Sequence, residues 1–527
     1  MRKHFLFFLF LTITFPSLAN VQKVWWVYFT DKNGSSFDPY AFFDPAAIER
    51  REKNRVSLYD ISDYPVSPVY QQQVGALVDT LGYSSRWLNA VSVVATDEQI
   101  NAVKTLPCVS EVVLQAGFEW TSASMDNPNA GSQYDPSVQI KRMQGEQFAA
   151  NKITGKGINI CILDAGFWGV DNHSAFSDLR FNNQIRKTRN FLRNDSIVYK
   201  EKTDHGTMVL SCIAGKYNGQ PMGMAVDANF FLGIISKEYG NQYRAEERYI
   251  AGLEWADQVG AHIVNISGGP NENAYFAEDL DGNKPVISRA CKVAASKGIL
   301  VIAAAGNNGM GSNPQLLAPA ETDSVLSVTA MGEKGFIADY SAMGPPPDFR
   351  RKPDICAPGN VIVAGHDKKG DLFEEGEGTS FSCPLVVGFA ACLMQKYPEI
   401  TAMGTIDSLR KSAHLYPYYD YAHGYGMPQA GYFFRDGFTP ADPSFEFVRS
   451  ATGITIHITG IADSLTADPE TQLLFWNFTD SKGRVVQYNV IEVSTPDPVS
   501  LYFAMIERTE EYKLCVWYRG YYAETGF

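Results

Sequence analysis

Four short segments carry side chains suited to one kind of reaction. The first is the apolar run Ile158-Asn159-Ile160-Cys161-Ile162-Leu163, which ends on Asp164, Ala165 and the turn residue Gly166. Functional groups of parallel α/β sheets gather at the carboxyl ends of strands, which makes Asp164 a candidate. In the second, Asp204-His205-Gly206-Thr207-Met208-Val209-Leu210-Ser211-Cys212, a histidine opens an apolar helical segment and Gly206 leaves room for a close neighbour. In the third, Gly376-Glu377-Gly378-Thr379-Ser380-Phe381-Ser382-Cys383-Pro384, Ser380 falls at the amino end of a long apolar segment. Free N–H groups and aligned peptide dipoles there stabilise a developing anion. Taken singly, these are a turn former, a structural histidine and an N-cap. The fourth segment changes the weighing: the apolar stretch Gly298–Ala305 delivers Asn307 within Gly306-Asn307-Asn308-Gly309. Such an amide is a donor for a tetrahedral oxyanion. Hydroxyl, imidazole, carboxylate and amide together form the equipment of acyl transfer.

Other assignments are weaker. Asp204 adjoins His205, but adjacent side chains diverge, so Asp164 is preferred. Asp171 and His173 stand near Asp164 without a matching pattern. A Gly-x-Ser-x-Gly elbow is missing, which argues against a lipase or esterase of the α/β-hydrolase type. The eight histidines are scattered and form no HExxH, and the eight cysteines form no CxxC. A zinc hydrolase therefore has little support. Most cysteines read as small buried hydrophobes, with one or two disulfides open.

Asp, His and Ser in this order, with the asparagine between His and Ser, is the subtilisin arrangement. Residues 140–436 resemble the subtilisin-like serine proteases (peptidase S8) through five motifs. These are Asp164-Ala165-Gly166, His205-Gly206-Thr207, Val264-Asn265-Ile266-Ser267-Gly268-Gly269-Pro270, Ala303-Ala304-Ala305-Gly306-Asn307, and Gly378-Thr379-Ser380 through Pro384. The resemblance implies a catalytic Asp164, His205 and Ser380, with Asn307 and the Ser380 N–H binding the oxyanion. It also implies that Ser267, Gly268, Gly269, Ala304 and Gly306 wall the pocket for the residue before the cut. Three departures stand out: Ala165 replaces the usual Thr or Ser, the residue between Ser267 and Gly268 is missing, and Cys383 replaces a small residue.

These groups need elements to position them. The chain has 527 residues, enough for several domains. Its 45% apolar and 20% charged residues exclude collagen-like and wholly disordered chains. The net charge of −13 without a basic cluster argues against nucleic-acid partners. The apolar run Phe5–Phe15 is about half the length of a membrane-spanning helix. Arg2, Lys3 and His4 before it and Pro16-Ser17-Leu18-Ala19 after it mark a signal peptide at 1–19. No cysteine stands at its exit, so no lipid anchor is expected. Export to the periplasm or the medium follows.

Residues 20–120 read as a small α+β unit. Its expected elements are strands at Val24–Phe29, Asn89–Ala95 and Cys108–Leu114, and helices at Tyr70–Leu81 and at Glu98–Leu106 capped by Asp97. From Ala90 to Val113 it resembles an inhibitory propeptide. Residues 121–139 read as a linker holding the processing cut. Residues 140–436 read as a subtilisin-like α/β domain: strands Ile158–Leu163, Asn229–Ser236, His262–Ser267, Ile299–Ala304 and Val325–Ala330 form a parallel sheet covered by helices on both faces. The expected helices are Arg244–Val259, Val286–Lys297 and Ser382–Tyr397. Residues 437–527 read as a β-sandwich.

The sequence thus predicts an exported serine endopeptidase made as a zymogen, acting on proteins or peptides, inhibited by its own propeptide, and monomeric. No cofactor is required; calcium is common in the family, but no ligand loop is assigned. Two rivals are a degenerate protease-fold scaffold binding partners through its C-terminal domain, and an ester hydrolase.

Overall fold

The computed structural model describes residues 21–115, 135–237, 244–270, 274–311, 315–435, 441–450, 453–459, 472–493, 499–501 and 512–526. The expected signal peptide, most of the linker and the processing cut lie outside these residues.

The N-terminal unit consists of β1 (Lys23–Phe29), α1 (Pro45–Lys53), α2 (Pro68–Gly75), β2 (Thr80–Ser85), β3 (Ala90–Ala95), α3 (Asp97–Val103) and β4 (Val109–Leu114). The strands form an antiparallel sheet in the order β2-β3-β1-β4. Alternate residues of β1 face opposite ways, as a strand requires. Val27 and Phe29 enter the unit's own core, while Trp26 and Tyr28 join a core shared with the central domain.

Two helices differ from the sequence reading. Thr96, not Asp97, caps α3: its hydroxyl accepts from the Gln99 N–H (3.3 Å) and the Gln99 side chain accepts from the Thr96 N–H (2.8 Å). The helical spacing at 70–81 overruns the helix, which ends at Gly75. Leu81 instead pairs with Val93 across the sheet and packs back on Gly75. Strand pairing overrides the local pattern there.

The central domain is built on a seven-stranded sheet, parallel throughout. Its elements in chain order are β5 (Asn159–Asp164), β6 (Ile185–Asn190), α4 (His205–Ala214), β7 (Asn229–Ile234), α5 (Ala245–Gln258), β8 (Ile263–Ile266), α6 (Val286–Ser296), β9 (Leu300–Ala304), β10 (Val325–Met331), β11 (Ile355–Pro358), the hairpin β12 (Asn360–Asp367) and β13 (Gly370–Glu377), α7 (Thr379–Lys396) and α8 (Ala402–Ser412). The sheet order is β11-β10-β9-β8-β5-β7-β6. Ile160 and Ile162 of β5 belong to one core, and Cys161 and Leu163 to the other, so the strand is covered on both faces. That is why it reads as an unbroken apolar run. The two edge strands escaped the sequence reading. β6, Ile-Arg-Lys-Thr-Arg-Asn, is a polar edge, and β11 has only four residues.

Strands β14 (Phe445–Arg449), β15 (Ile454–Ile458), β16 (Leu473–Thr479), β17 (Val485–Glu492), β18 (Val499–Leu501), β19 (Lys513–Tyr518) and β20 (Tyr521–Gly526) form two antiparallel sheets, β14-β15-β18 and β17-β16-β19-β20. Phe445, Ile454 and Ile456 of one sheet share a core with Leu474, Trp476, Phe478, Leu514 and Val516 of the other. On the far face, Leu473, Phe475 and Trp517 pack on Leu415 and Tyr418 of the central domain.

Helix α5 presents Glu246, Glu254 and Asp257, one helical stripe, to the N-terminal unit. Glu246 accepts from Trp26 Nε1 (3.2 Å) and Glu254 from Tyr83 (2.9 Å) and Ser85 (2.6 Å). Asp257 pairs with Arg50 and, at 2.5 Å, with Arg51; Asp63 bridges Arg51 (2.7 Å) and Lys297 (3.1 Å). These five side chains are at most 2% exposed. Removing one partner of a buried pair strands the other charge and costs about 3–5 kcal/mol. Asp257→Ala is therefore expected to lower the precursor's melting temperature sharply in calorimetry. An unchanged midpoint refutes the assignment.

Candidate active site

The groups singled out in the sequence sit on element ends. Asp164 closes β5, His205 opens α4, Ser380 lies in the first turn of α7, and Asn307 follows β9. Ser267 directly follows β8. The ends of β5, β8 and β9 are neighbours at the carboxyl edge of the parallel sheet, the place where such folds bind ligands.

Asp164 is fully buried. Its Oδ1 meets His205 Nδ1 at 2.7 Å and accepts the Ala165 N–H at 2.7 Å. A carboxylate oxygen accepts only, so the proton of this bond sits on Nδ1. The approach depends on two glycines. A Cβ at Gly206 would lie 2.5 Å from the Gly166 carbonyl oxygen, and one at Gly166 would lie 2.4 Å from that of Thr203. Ala165 contributes only its backbone, and Asp164 Oδ2 is buried without a hydrogen-bond donor among the described residues. Asp204 turns away from His205, and its Oδ2 accepts the His366 N–H at 2.7 Å. Burial raises its pKa. His173 caps a short turn through the Ala175 N–H (3.0 Å).

Ser380 is 1% exposed, and its hydroxyl donates to the Ser267 carbonyl at 2.6 Å. The ring of its neighbour Phe381 lies 5.9 Å from that of His205. Gly378, which precedes α7, has φ +152°, a conformation left to glycine. Asn307 is held by Thr379: its Oδ1 accepts both the Thr379 hydroxyl (2.8 Å) and the Thr379 N–H (3.0 Å). The same hydroxyl accepts the Gly306 N–H at 3.2 Å. With the oxygen end occupied, the amide nitrogen of Asn307 points the other way. Sequence reasoning missed Thr379 as a positioning residue. It stands beside Ser380 in the motif, but its partner lies 72 residues upstream.

Cys383 lies beneath the site, with its thiol on Asn265 Oδ1 (3.4 Å) and the Ile302 carbonyl (3.5 Å). Burial pushes its pKa up, so it stays a thiol. All eight cysteines are buried, and none is joined in a disulfide.

Comparison with known proteins agrees with this architecture. The subtilase family (Peptidase_S8) matches residues 155–426, just over half of the chain. The Peptidase S8 propeptide domain of Bacteroidota matches residues 24–130, running into the stretch read as linker. Subtilisin NAT of Bacillus subtilis subsp. natto is 26% identical over 334 residues, 62% of this chain and 76% of its own. An alkaline protease of Shouchella clausii is 28% identical over 325 residues, 61% and 73% of the two chains. The minor extracellular protease Epr of Bacillus subtilis is 25% identical over 362 residues, 67% and 51%. The chain belongs to the subtilase family and is a serine endopeptidase with an S8 propeptide domain.

Thr379→Val keeps the shape at Asn307 but removes the hydroxyl that orients it. Losing an oxyanion donor outright costs about 10²–10³ in turnover; for Asn307 in the donor role proposed below, loosening is expected to cost about tenfold in kcat with KM little changed. Steady-state kinetics on a peptide anilide checks this; equal kcat overturns the role of Thr379.

Proposed function

We propose that the chain is an exported zymogen that cleaves peptide bonds through Asp164, His205 and Ser380, with Asn307 as oxyanion donor. The 2.7 Å hydrogen bond between buried Asp164 and His205 carries this reading. In this reading His205 Nε2 takes the Ser380 proton as Oγ attacks the scissile carbonyl. The hydroxyl leaves the Ser267 carbonyl for that step. The tetrahedral oxygen is met by Asn307 Nδ2 and the Ser380 N–H at the start of α7. His205 then protonates the departing amine, and water reverses the sequence to release the acyl group. This acyl transfer needs no organic cofactor.

The proposed division is a signal peptide at 1–19, an inhibitory propeptide at 20–120, a linker at 121–139, a catalytic domain at 140–436 and a β-sandwich at 437–527. The basic and apolar start of the chain and the extracellular relative support export. Among the described residues no helix is long and apolar enough to cross a membrane. The degenerate-scaffold reading finds no support in the comparisons.

A fluorophosphonate probe tests the chemistry. Mass spectrometry is expected to find the label on Ser380 in processed protein, little in precursor, and none in Ser380→Ala. No label on folded, processed protein refutes the reading.

Burial raises the Glu246 carboxyl to about 7, against the opposing hydrogen bonds from Tyr275 and Trp26. In this proposal, release of the propeptide exposes the carboxyl and returns it toward its ordinary value of 4.5. A carboxyl whose pKa is higher in the assembled state takes up a proton on assembly. Assembly is thus favoured below the lower pKa and weakens as pH rises through about 7. Cleaved propeptide is expected to bind at least about tenfold more weakly at pH 8 than at pH 5, and Glu246→Gln to flatten that slope, by titration calorimetry. A wild-type affinity independent of pH refutes it.

A further inference from the structure

We infer that Leu317 closes the floor of the cleft for the residue before the cut, and so restricts this peptidase to small side chains there: glycine, alanine or serine. The inference rests on Ser380 and Asn307 acting as proposed. A carbonyl carbon attacked by Ser380 Oγ, with its oxygen toward Asn307 Nδ2, is flanked by two backbone segments. Ser267 stands 2.6 Å from Oγ and leads into Gly268 and Gly269. On the other side Asn307, held 2.8 Å from the Thr379 hydroxyl, is preceded by Gly306. The side chain of the acyl residue enters between these glycine-bearing walls.

One residue reaches both walls from below. A Cβ at Gly306 would lie 2.7 Å from Leu317 Cγ and 2.9 Å from its Cδ1. A Cβ at Gly269 would lie 3.9 Å from Leu317 Cβ and 2.5 Å from the Ala318 carbonyl oxygen. The Leu317 side chain therefore spans the gap. Its backbone is fixed at both ends: its N–H donates to Ala305 (2.9 Å), and its carbonyl accepts from Ala320 (2.8 Å). Its neighbours are spent elsewhere. Leu316 packs with Ala305 and Ala342, and Ala318 enters the core shared with α5 and α6. Leu317 belongs to neither cluster and keeps 8% exposure. A branched aliphatic side chain laid across a cleft occupies the volume that an aromatic ring needs. Both Gly306 and Leu317 are tightly packed, so the floor has no slack to yield.

The test uses processed enzyme and peptide anilides that differ only in the residue before the cut: alanine, leucine or phenylalanine. Wild-type kcat/KM is expected to fall about 10–100-fold from alanine to phenylalanine. Leu317→Gly is expected to raise the phenylalanine-to-alanine ratio at least about tenfold, with Leu317→Ala in between. The fluorophosphonate, which has no amino-acid side chain, reads folding and the reacting groups separately. Label retained on Ser380 with an unchanged ratio in both variants overturns this inference alone, as does a wild type that cleaves after phenylalanine and alanine equally well. A wild type that neither cleaves any peptide nor takes label overturns the peptidase reading and this inference with it.

Discussion

The buried contact between Asp164 and His205 is the constraint around which the central domain is arranged. A carboxylate removed from water is expensive unless nearby donors replace its hydration. Asp164 gets two, from His205 and from the Ala165 N–H. Bringing the imidazole that close requires the start of α4 to press on the turn after β5, and Gly166 and Gly206 leave no side chain between them. Every residue of α4 is buried as a consequence, as is nearly all of α7 beside it. The apolar strands, covered on both faces, supply the rigid edge that keeps these helix ends in register.

The N-terminal unit is joined to this domain in a different way. Trp26, Tyr28 and Trp87 supply apolar contact, but the helix face they meet carries Glu246, Glu254 and Asp257. Buried ion pairs bring little net stability, because desolvation offsets attraction. They do penalise every mismatched partner, since a surface lacking Arg50 and Arg51 would leave Asp257 bare. The arrangement therefore favours recognition of one particular N-terminal unit over adhesion in general. In the proposed zymogen, an inhibitor that must eventually leave is served by such a contact better than by a wholly apolar one.

The groups of the proposed mechanism each stand in a local pattern. An apolar run ending on Asp164, a histidine opening an apolar helix, and glycine before Ser380 are patterns within a few residues. The strands at the middle of the sheet were legible for the same reason, and its polar edge at Ile185–Asn190 was not. The helix boundary at Gly75 was misread because Leu81 fits a helical period, and only its pairing with Val93 reveals the strand. Thr379 as the holder of Asn307, Asp257 as the partner of Arg50, and Leu317 as a floor are contacts between distant segments, and no local pattern encodes them.

Ala165 is a departure from the family pattern that removes no member of the proposed triad. A hydroxyl at that position would offer a donor to the carboxylate. Here Asp164 Oδ2 has none among the described residues, while Oδ1 carries both hydrogen bonds. An unmet buried acceptor costs about 1–3 kcal/mol of stability. Each donor to a carboxylate also stabilises the anion. Both hydrogen bonds of Asp164 run through Oδ1, and one of them goes to His205. In the proposed mechanism that is where positive charge develops as the Ser380 proton is taken.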